Sequence, residues 1–220
     1  MLKLIIFDFD GTLVDTIEDI TGALNYACMP LSITFTVEQA KRLVGSGVSR
    51  LIEKATAGAG SKSFKFDEIL NRFLDFYSGH LIVKSKPFDG AVETLELLDS
   101  HYKKALVSNK KESLTVQMLR EFSMDRFFDC VLGGDSLPEK KPSPLPLLEV
   151  LKRLGLQKNE AVIVGDGDHD MQAGKAAGIV TVAAAYGYRD REELAGADYI
   201  IDNIRQLIPL VNVLQHGSGR

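Results

Sequence analysis

The sequence predicts an α/β protein in which a parallel sheet is covered by helices on both faces, with a bundle of helices inserted after the first strand. Two observations lead to this prediction. From about residue 102 onward, short apolar runs alternate with segments of helical periodicity, a pattern typical of successive βαβ units. Residues 15–82 instead show four helical patterns in succession and no convincing strand.

The strands of the predicted sheet are short apolar runs. Continuous apolar strands are typical of parallel sheets that are buried on both faces. One run opens the chain, and the last run is a weaker candidate for an edge strand. The predicted strands are Leu2–Phe7, Lys104–Val107, Cys130–Leu132, Ala161–Val164, Val180–Ala183 and Tyr199–Ile201.

The helices that cover the sheet are indicated by apolar residues at every third or fourth position. One such stripe precedes the second strand and another follows it, and each can cover one face of the sheet. The stripes consist of Val92, Leu95 and Leu98 and of Leu114, Met118 and Phe122.

The inserted segment is predicted to form four helices. The first has an apolar stripe that begins at Ile17, and the second begins at the capping-box spacing of Thr36 and Gln39. The third and fourth are separated by the small and polar residues 58–63. We therefore predict two structural units, a core of residues 1–14 and 83–220 and a helical unit of residues 15–82.

The composition is that of a globular protein, with 45% hydrophobic and 25% charged residues in a chain of 220. This length accommodates one full core and a small second unit. The 26 Lys and Arg residues against 30 Asp and Glu give a net charge of −4, which is not typical of nucleic-acid-binding domains. Cys28 and Cys130 lie too far apart to indicate a disulfide framework or a zinc site.

Neither a signal peptide nor a membrane span is predicted. The apolar start of the chain reaches Asp8 too early for a signal-peptide core, and no apolar run approaches the roughly 18 residues of a spanning helix. We therefore expect a cytoplasmic protein without membrane or nucleic-acid partners. The sequence leaves open whether it is a monomer or a dimer.

The strongest functional signal is the pair of carboxylates in Asp8-Phe9-Asp10-Gly11-Thr12, directly after the first strand. An Asp-Gly pair also occurs in hairpin turns, but the residues that follow here are helical rather than a partner strand. Open parallel sheets bind ligands at the carboxyl ends of their strands. Two carboxylates at such a position can divide the work of a reaction, one as nucleophile and the other as acid and base.

Residues 165–170, with the sequence Gly-Asp-Gly-Asp-His-Asp, form a second acidic cluster after the fourth strand. Their spacing is like the start of an EF-hand calcium loop, but Met171 stands where Gly is needed and Ala177 where Glu is needed. We instead expect a Mg²⁺ site shared with Asp8, because Mg²⁺ binds a few carboxylates together with water and substrate phosphate. His169 is expected to be a solvated or helix-start residue, since Mg²⁺ prefers oxygen ligands.

Two further elements complete the predicted site. Ser108 and Asn109 end the second core strand, where a hydroxyl and an amide can hydrogen-bond a phosphoryl oxygen. Residues 140–144, Lys-Lys-Pro-Ser-Pro, lie in the next crossover. Three carboxylates and a phosphate dianion would bring together about five negative charges, which one Mg²⁺ does not balance, so a fixed ammonium from this segment would help to hold them.

These four elements, in this order, resemble the haloacid dehalogenase superfamily, whose motifs are D-x-D-G-T, a Ser or Thr after the second strand, a Lys before a Pro, and G-D-x-x-x-D. The match runs over essentially the whole chain. The resemblance implies a Rossmann-like, three-layer catalytic core, and it identifies residues 15–82 as a cap of the all-α type.

Within the superfamily, three segments resemble the phosphoglycolate phosphatase branch. They are residues 133–135, 173–178 and 186–188, and the cap stretch 44–48 adds to the likeness. Two positions depart from the branch. Gly167 stands where Ser or Thr is usual, and Ser143 stands where His is frequent.

The resemblance also implies a role for each site residue. Asp8 would attack phosphorus and form a phosphoaspartyl intermediate, while Asp10 would protonate the leaving alkoxide and then deprotonate water. Asp10 would have to be protonated at neutral pH, which we expect nearby negative charge to favour. Mg²⁺ would be held by Asp8, the carbonyl of Asp10 and Asp166, with Asp170 acting through water. The phosphoryl group would be bound by Thr12, Ser108, Asn109 and Lys141.

The cap is expected to close over the site and to supply specificity through Gly45, Ser46 and Gly47. A small carboxylated substrate would need a cation, and Arg50 is the expected one. The implied reaction is hydrolysis of a small phosphorylated substrate, foremost 2-phosphoglycolate. A phosphomutase of the β-phosphoglucomutase kind, and a phosphatase for pyrophosphate or another small ester, stay open as alternatives.

Overall fold

The computed structural model describes residues 1–57 and 65–216 and has the α/β fold that the sequence predicts. Its strands are β1 (Leu4–Phe7), β2 (Val14–Asp15), β3 (Lys86–Pro87), β4 (Lys103–Val107), β5 (Cys130–Leu132), β6 (Ala161–Gly165), β7 (Val180–Ala184) and β8 (Tyr199–Ile201). Six of them form one parallel sheet in the order β5-β4-β1-β6-β7-β8. All six predicted strands are confirmed, with ends displaced by two residues at most.

The helices of the described residues are α1 (Ile17–Cys28), α2 (Val37–Leu43), α3 (Val48–Thr56), α4 (Phe66–Gly79), α5 (Ala91–Asp99), α6 (Glu112–Glu121), α7 (Leu145–Leu154), α8 (Asp168–Ala177) and α9 (Leu207–His216). Helices α7 and α8 cover one face of the sheet, α5, α6 and α9 cover the other, and α1–α4 lie between β2 and β3. Successive residues of β1 point to opposite faces, so Leu4 and Ile6 pack with α7 and α8 while Ile5 and Phe7 belong to the cluster that includes α5, α6 and α9. The three-layer arrangement is therefore confirmed.

The segment between β2 and β3 is helical, as predicted. Helix α1 packs against α2 and α4, and α3 packs against α4. The capping box is confirmed, since the Thr36 hydroxyl accepts from the Gln39 N–H at 3.2 Å and the Gln39 side chain accepts from the Thr36 N–H at 2.9 Å. Residues 58–63, predicted to separate the third and fourth helices, lie outside the described residues.

A two-stranded antiparallel ribbon connects the helical segment to the sheet. In this ribbon Val14 pairs with Pro87 and Asp15 pairs with Lys86, so the chain leaves and returns at one place. No sequence pattern predicts this ribbon, because strands of two residues have no hydrophobic period. The division into a core of residues 1–14 and 83–220 and a cap of residues 15–82 stays a prediction, and we use the name cap for α1–α4 with their loops.

Two simpler expectations concern cysteines and membranes. Cys28 is buried and Cys130 is half-buried, and both are free thiols. Among the helices within residues 1–57 and 65–216, none is long and apolar enough to cross a bilayer.

Candidate active site

The candidate active site lies where three neighbouring strands of the sheet end. Phe7, the last residue of β1, is in register with β4 on one side and β6 on the other. Asp8, Ser108 and Asp166 each directly follow the last residue of their strand. The sheet therefore brings together three motifs that are more than fifty residues apart in sequence.

Lys141 is the positive centre of the site, and its side chain is 1% exposed. The Nζ atom lies 2.8 Å from Asp8 Oδ1 and 2.6 Å from Asp170 Oδ1, and it donates to the Val107 carbonyl at 2.5 Å. Burial alone would lower the pKa of Lys141, but the carboxylates of Asp170 and Asp8 outweigh burial and raise the pKa above its usual value. The ammonium therefore stays charged between the two carboxylates, as expected for a fixed ammonium from residues 140–144.

Asp8, Asp166 and Asp170 form one acidic cluster, in which one carboxylate oxygen of each lies within 4.8 Å of the others. Asp166 Oδ2 accepts a hydrogen bond from the Tyr188 N–H at 2.8 Å, which orients this carboxylate. The donor set fits Mg²⁺, which binds a few carboxylate oxygens and keeps other positions for water and phosphate. One ammonium does not neutralise three carboxylates, so a divalent cation would remove the remaining excess of negative charge.

Burial and mutual repulsion change the protonation of this cluster. Burial first, and then the charge of Asp170, raises the pKa of Asp8 to about 7, although Lys141 acts in the opposite direction. Burial, followed by the charges of Asp8 and Asp170, raises the pKa of Asp166 to about 8. Without a cation, these two carboxyls therefore keep a proton to a higher pH than they would in water.

We expect the metal-free protein to lose stability as pH rises through the neutral range. Asp8 and Asp166 have an ordinary pKa of 3.8, so between that pH and their folded pKa values of about 7 and 8 the folded state binds more protons than the unfolded state. The free energy of unfolding falls across this window. Mg²⁺ should offset the fall, because it binds the ionised carboxylates of the folded state.

The measurement is Tm at acidic, neutral and mildly alkaline pH, with Mg²⁺ and with EDTA. The increase in Tm caused by Mg²⁺ should grow with pH. Asp166→Asn serves as the comparison, since it should lose most of that increase. An increase that is equal at every pH, or largest at acidic pH, would contradict the linkage.

Gly11 permits the loop after β1 to approach Asp166. Its φ of +83° lies in the left-handed region that favours glycine, and a Cβ built at this position would stand 2.2 Å from Asp166 Oδ2. A side chain at residue 11 would therefore displace a candidate metal ligand. This gives a physical reason for the Gly of the D-x-D-G-T motif.

Asp10 contacts an ammonium rather than other carboxylates. Lys110 Nζ donates to Asp10 Oδ1 at 2.8 Å and to Oδ2 at 3.0 Å, and the Thr16 hydroxyl donates to Oδ1 at 2.7 Å. The direct hydrogen-bond partners of Asp10 are therefore an ammonium and a hydroxyl, whereas nearby negative charge was expected to favour its protonation. Lys110 was missed, and its only signal in the sequence was its place directly after Ser108 and Asn109.

Lys110 also connects the core to the cap. Its Nζ donates to Tyr77 Oη of α4 at 2.8 Å and lies 4.8 Å from the centre of that ring. Burial raises the pKa of Tyr77 to about 12, so the side chain is a neutral phenol. For Lys110 itself, burial alone would lower the pKa, but Asp10 outweighs burial and raises the pKa above its usual value.

Three residues expected to bind phosphate have other contacts in this structure. The Thr12 hydroxyl donates to Asp166 Oδ1 at 3.5 Å, so it supports the acidic cluster. Asn109 uses Nδ2 to donate to the Gly45 and Lys141 carbonyls at 2.8 and 2.9 Å, which leaves no amide hydrogen for a phosphoryl oxygen. Ser108 is buried directly after β4, and its hydroxyl accepts a hydrogen bond from the Lys110 N–H at 3.3 Å.

The loop between α2 and α3 is the part of the cap that contacts the site. Its Gly45 carbonyl accepts from Asn109, and Ser46 Oγ lies 3.0 Å from His169 Nε2. His169 is in the first turn of α8, as expected, but it faces the cap. At Gly47 φ is +82°, and a Cβ there would lie 2.9 Å from the Asn109 carbonyl. The structure thus brings all three predicted loop residues to the core.

Arg189 also joins core and cap, and no sequence motif indicates this role. It follows β7, and its guanidinium donates to the Lys41 carbonyl at 2.5 Å and to the Val44 carbonyl. Arg50, the expected cation of the cap, is 67% exposed and pairs with Glu53 at 2.6 Å on the surface of α3. The structure does not bring Arg50 into the cavity described next.

A cavity between cap and core opens onto Asp8 and Asp10. It contains about 610 Å³ of empty space, including a part that is open to solvent. Its core side carries polar residues, among them Ser108 and Lys110. Its cap side is mostly apolar and includes Ile20, Leu51, Phe73 and Leu74. A substrate bound here would have its phosphate at the carboxylates and its leaving group against the cap.

The known proteins to which this chain is similar belong to one family. The family model described as haloacid dehalogenase-like hydrolase matches residues 5–184. Phosphoglycolate phosphatase 1 of Pseudomonas aeruginosa is 34% identical, over 94% of this chain and 79% of that protein. Phosphoglycolate phosphatase of Aquifex aeolicus is 38% identical, over 85% of this chain and 86% of that protein. The crystal structure of a predicted phosphoglycolate phosphatase from Haemophilus somnus is 30% identical, with a TM-score of 0.90 over 96% of this chain and 98% of that one.

Proposed function

The chain belongs to the haloacid dehalogenase-like hydrolase family, and we propose that within it the protein is a Mg²⁺-dependent phosphatase that hydrolyses 2-phosphoglycolate through a phosphoaspartyl intermediate. The family and the similar phosphatases make it a phosphoric monoester hydrolase. The observation that supports the proposed mechanism most is the position of Asp8. It lies at the end of the central strand, beside Lys141 and within the cluster of three carboxylates.

In the proposed reaction, Asp8 uses a carboxylate oxygen to attack phosphorus while the bond from phosphorus to the ester oxygen breaks. Asp10 donates a proton to the leaving alkoxide. It then takes a proton from the water that attacks the phosphoaspartyl group, and inorganic phosphate leaves as the Asp8 carboxylate is restored.

The remaining residues hold charge in place during these steps. Lys141 would stabilise the negative charge of the transferring phosphoryl group, together with backbone N–H groups after Asp8 and the Ser108 hydroxyl. Mg²⁺ would be held by Asp8, the Asp10 carbonyl and Asp166, with Asp170 in support, and it supplies charge neutralisation and orientation of the phosphate. The cap loop at Gly45, Ser46 and Gly47 would exclude water from the closed site.

The test is phosphate release from 2-phosphoglycolate, pyrophosphate, β-glucose-1-phosphate and p-nitrophenyl phosphate, with Mg²⁺ and with EDTA. We expect Mg²⁺-dependent release, with kcat/KM for 2-phosphoglycolate about tenfold or more above the others. Weak and even turnover would discard phosphoglycolate as the preferred substrate. If β-glucose-1-phosphate is instead isomerised without net release of phosphate, and only when a bisphosphate activator is present, the protein is a phosphomutase.

Asp10→Asn should slow hydrolysis of the phosphoaspartyl group with every substrate, but its effect on formation of that group should depend on the leaving group. With 2-phosphoglycolate, turnover should fall by about 10²-fold, because the alkoxide leaves without a proton donor. p-Nitrophenolate needs no proton, so its first turnover should be nearly unchanged, and later turnovers should be slow because no base activates water. Stopped-flow absorbance measures this burst. A first turnover slowed as much as the later ones would contradict the two proton transfers assigned to Asp10.

A further inference from the structure

We propose that Lys110 recognises the leaving group, and that its ammonium binds a carboxylate carried on the carbon next to the ester oxygen. The substrate class would then be phosphate monoesters of 2-hydroxy acids. This inference rests on the proposed function, because it concerns the leaving-group side of the same site. It assigns to a core residue the role that the sequence had suggested for Arg50 of the cap.

Lys110 is an interior cation that needs an anionic partner. Its side chain is 6% exposed, and both oxygens of Asp10 accept from it. A buried ammonium is costly unless a carboxylate compensates it. In the proposed reaction Asp10 exchanges protons with the ester oxygen and with water, so it is not always available to pair with Lys110. A carboxylate on the substrate would then compensate part of the charge of the Lys110 ammonium.

The distances allow one ligand to contact both residues. Lys110 Nζ is 2.8 Å from the nearer oxygen of Asp10. A proton donor must itself lie about 3 Å from the ester oxygen, so Nζ is within roughly 6 Å of that oxygen. A carboxylate on the adjacent carbon extends about 3 Å from the ester oxygen and so reaches hydrogen-bond distance of Nζ.

The rest of the cavity favours the same assignment. An anion against the apolar side chains of the cap would be unpaired there, which is unfavourable in a partly closed cavity. Two lysines line this cavity among the described residues, and the side chain of Lys110 is 6% exposed, whereas Lys111 is an exposed residue. Tyr77 Oη fixes the ammonium from the cap side, and a phenol that accepts a hydrogen bond still has its own proton to donate.

The experiment compares two substrates that differ in the carboxylate, 2-phosphoglycolate and ethyl phosphate. For the wild type we expect kcat/KM to favour 2-phosphoglycolate. Lys110→Met should lower kcat/KM for 2-phosphoglycolate about 10- to 100-fold, mainly through KM, and should change ethyl phosphate much less. Lys104→Met is the matched control, because Lys104 is another buried lysine, paired with Asp99 at 2.6 Å near the opposite end of β4. It should keep the preference.

Direct binding separates recognition from any effect on Asp10. Calorimetry in an Asp8→Asn background gives Kd for both phosphate esters, with and without Lys110→Met, and only the 2-phosphoglycolate Kd should rise. If the Met variant does not fold, Lys110→Gln keeps a hydrogen-bond donor to Asp10 and Tyr77 without the charge, and it should lose the preference in the same way.

Three results would overturn the proposal. They are a wild type without preference for the carboxylated ester, an equal loss for both esters in Lys110→Met, and an unchanged Kd for 2-phosphoglycolate. An equal loss would mean that Lys110 only positions Asp10. Failure of the proposed function looks different, because the wild type would then release phosphate from neither ester while the calorimetric comparison still reports on Lys110.

Discussion

Asp8→Asn is expected to lower kcat by about 10⁴-fold or more while the protein stays folded. The carboxylate oxygen that forms the bond to phosphorus is replaced by a neutral amide, so the first step of the proposed reaction has no nucleophile. Folding should tolerate the change, because it removes one of three crowded carboxylates and leaves Lys141 paired with Asp170. In EDTA at neutral pH, Tm should therefore be equal to or higher than that of the wild type.

Two measurements check this result. Steady-state phosphate release gives kcat, and acid quenching with a radiolabelled phosphate ester shows whether label stays on the protein, which we expect for the wild type and not for Asp8→Asn. Asp168→Asn is the control, since its carboxylate is 52% exposed and belongs to the same acidic stretch of sequence. It should keep its activity. An Asp8→Asn variant within about tenfold of the wild type would rule out the covalent route.

Lys141→Met is expected to damage both activity and stability. Removing the ammonium leaves Asp8 and Asp170 as buried like charges, and breaking a buried ion pair in this way costs about 3–5 kcal/mol of unfolding free energy. The loss of charge opposite the phosphoryl group should lower kcat by about 10³-fold. Urea unfolding and phosphate release measure the two effects on the same preparation.

The two effects can be told apart by pH and by a control. Protonation of the carboxyls relieves their repulsion, so the loss of stability should be smaller at acidic pH than at mildly alkaline pH. Lys104→Met removes another buried ammonium but lies away from the site, so it should destabilise without lowering kcat by more than a few fold. A Lys141→Met variant as stable as the wild type at every pH would contradict the assigned ion pairs.

The parts of the fold and site that sequence predicted well have local signals. Apolar runs of the right length marked the six strands, and residues that directly follow such runs, Asp8, Ser108 and Asp166, meet at one edge of the sheet for purely topological reasons. The need for a cation beside three carboxylates follows from charge alone. It led to Lys141 only because the motif order resembled a known family.

The parts that were missed depend on contacts between distant segments. Nothing near Asp10 in sequence indicates that Lys110, a hundred positions away, donates to it. Arg189 is likewise recognisable only once its loop lies against the end of α2. The charge of Arg50 and its place after the cap loop suggest a substrate contact, but Glu53, three positions further on, offers it a partner on the same surface of the helix.

Arg189 and Asn109 donate hydrogen bonds to backbone carbonyl oxygens of the cap, which belong to Lys41, Val44 and Gly45. Every residue type presents the same carbonyl, so these attachments place no demand on the side chains of the residues that provide them. Mutations could therefore alter the side chains that face the substrate while the docking of the cap is inherited unchanged. An arrangement of this kind would let a lineage acquire new substrates by small steps while the contacts between cap and core stay in place.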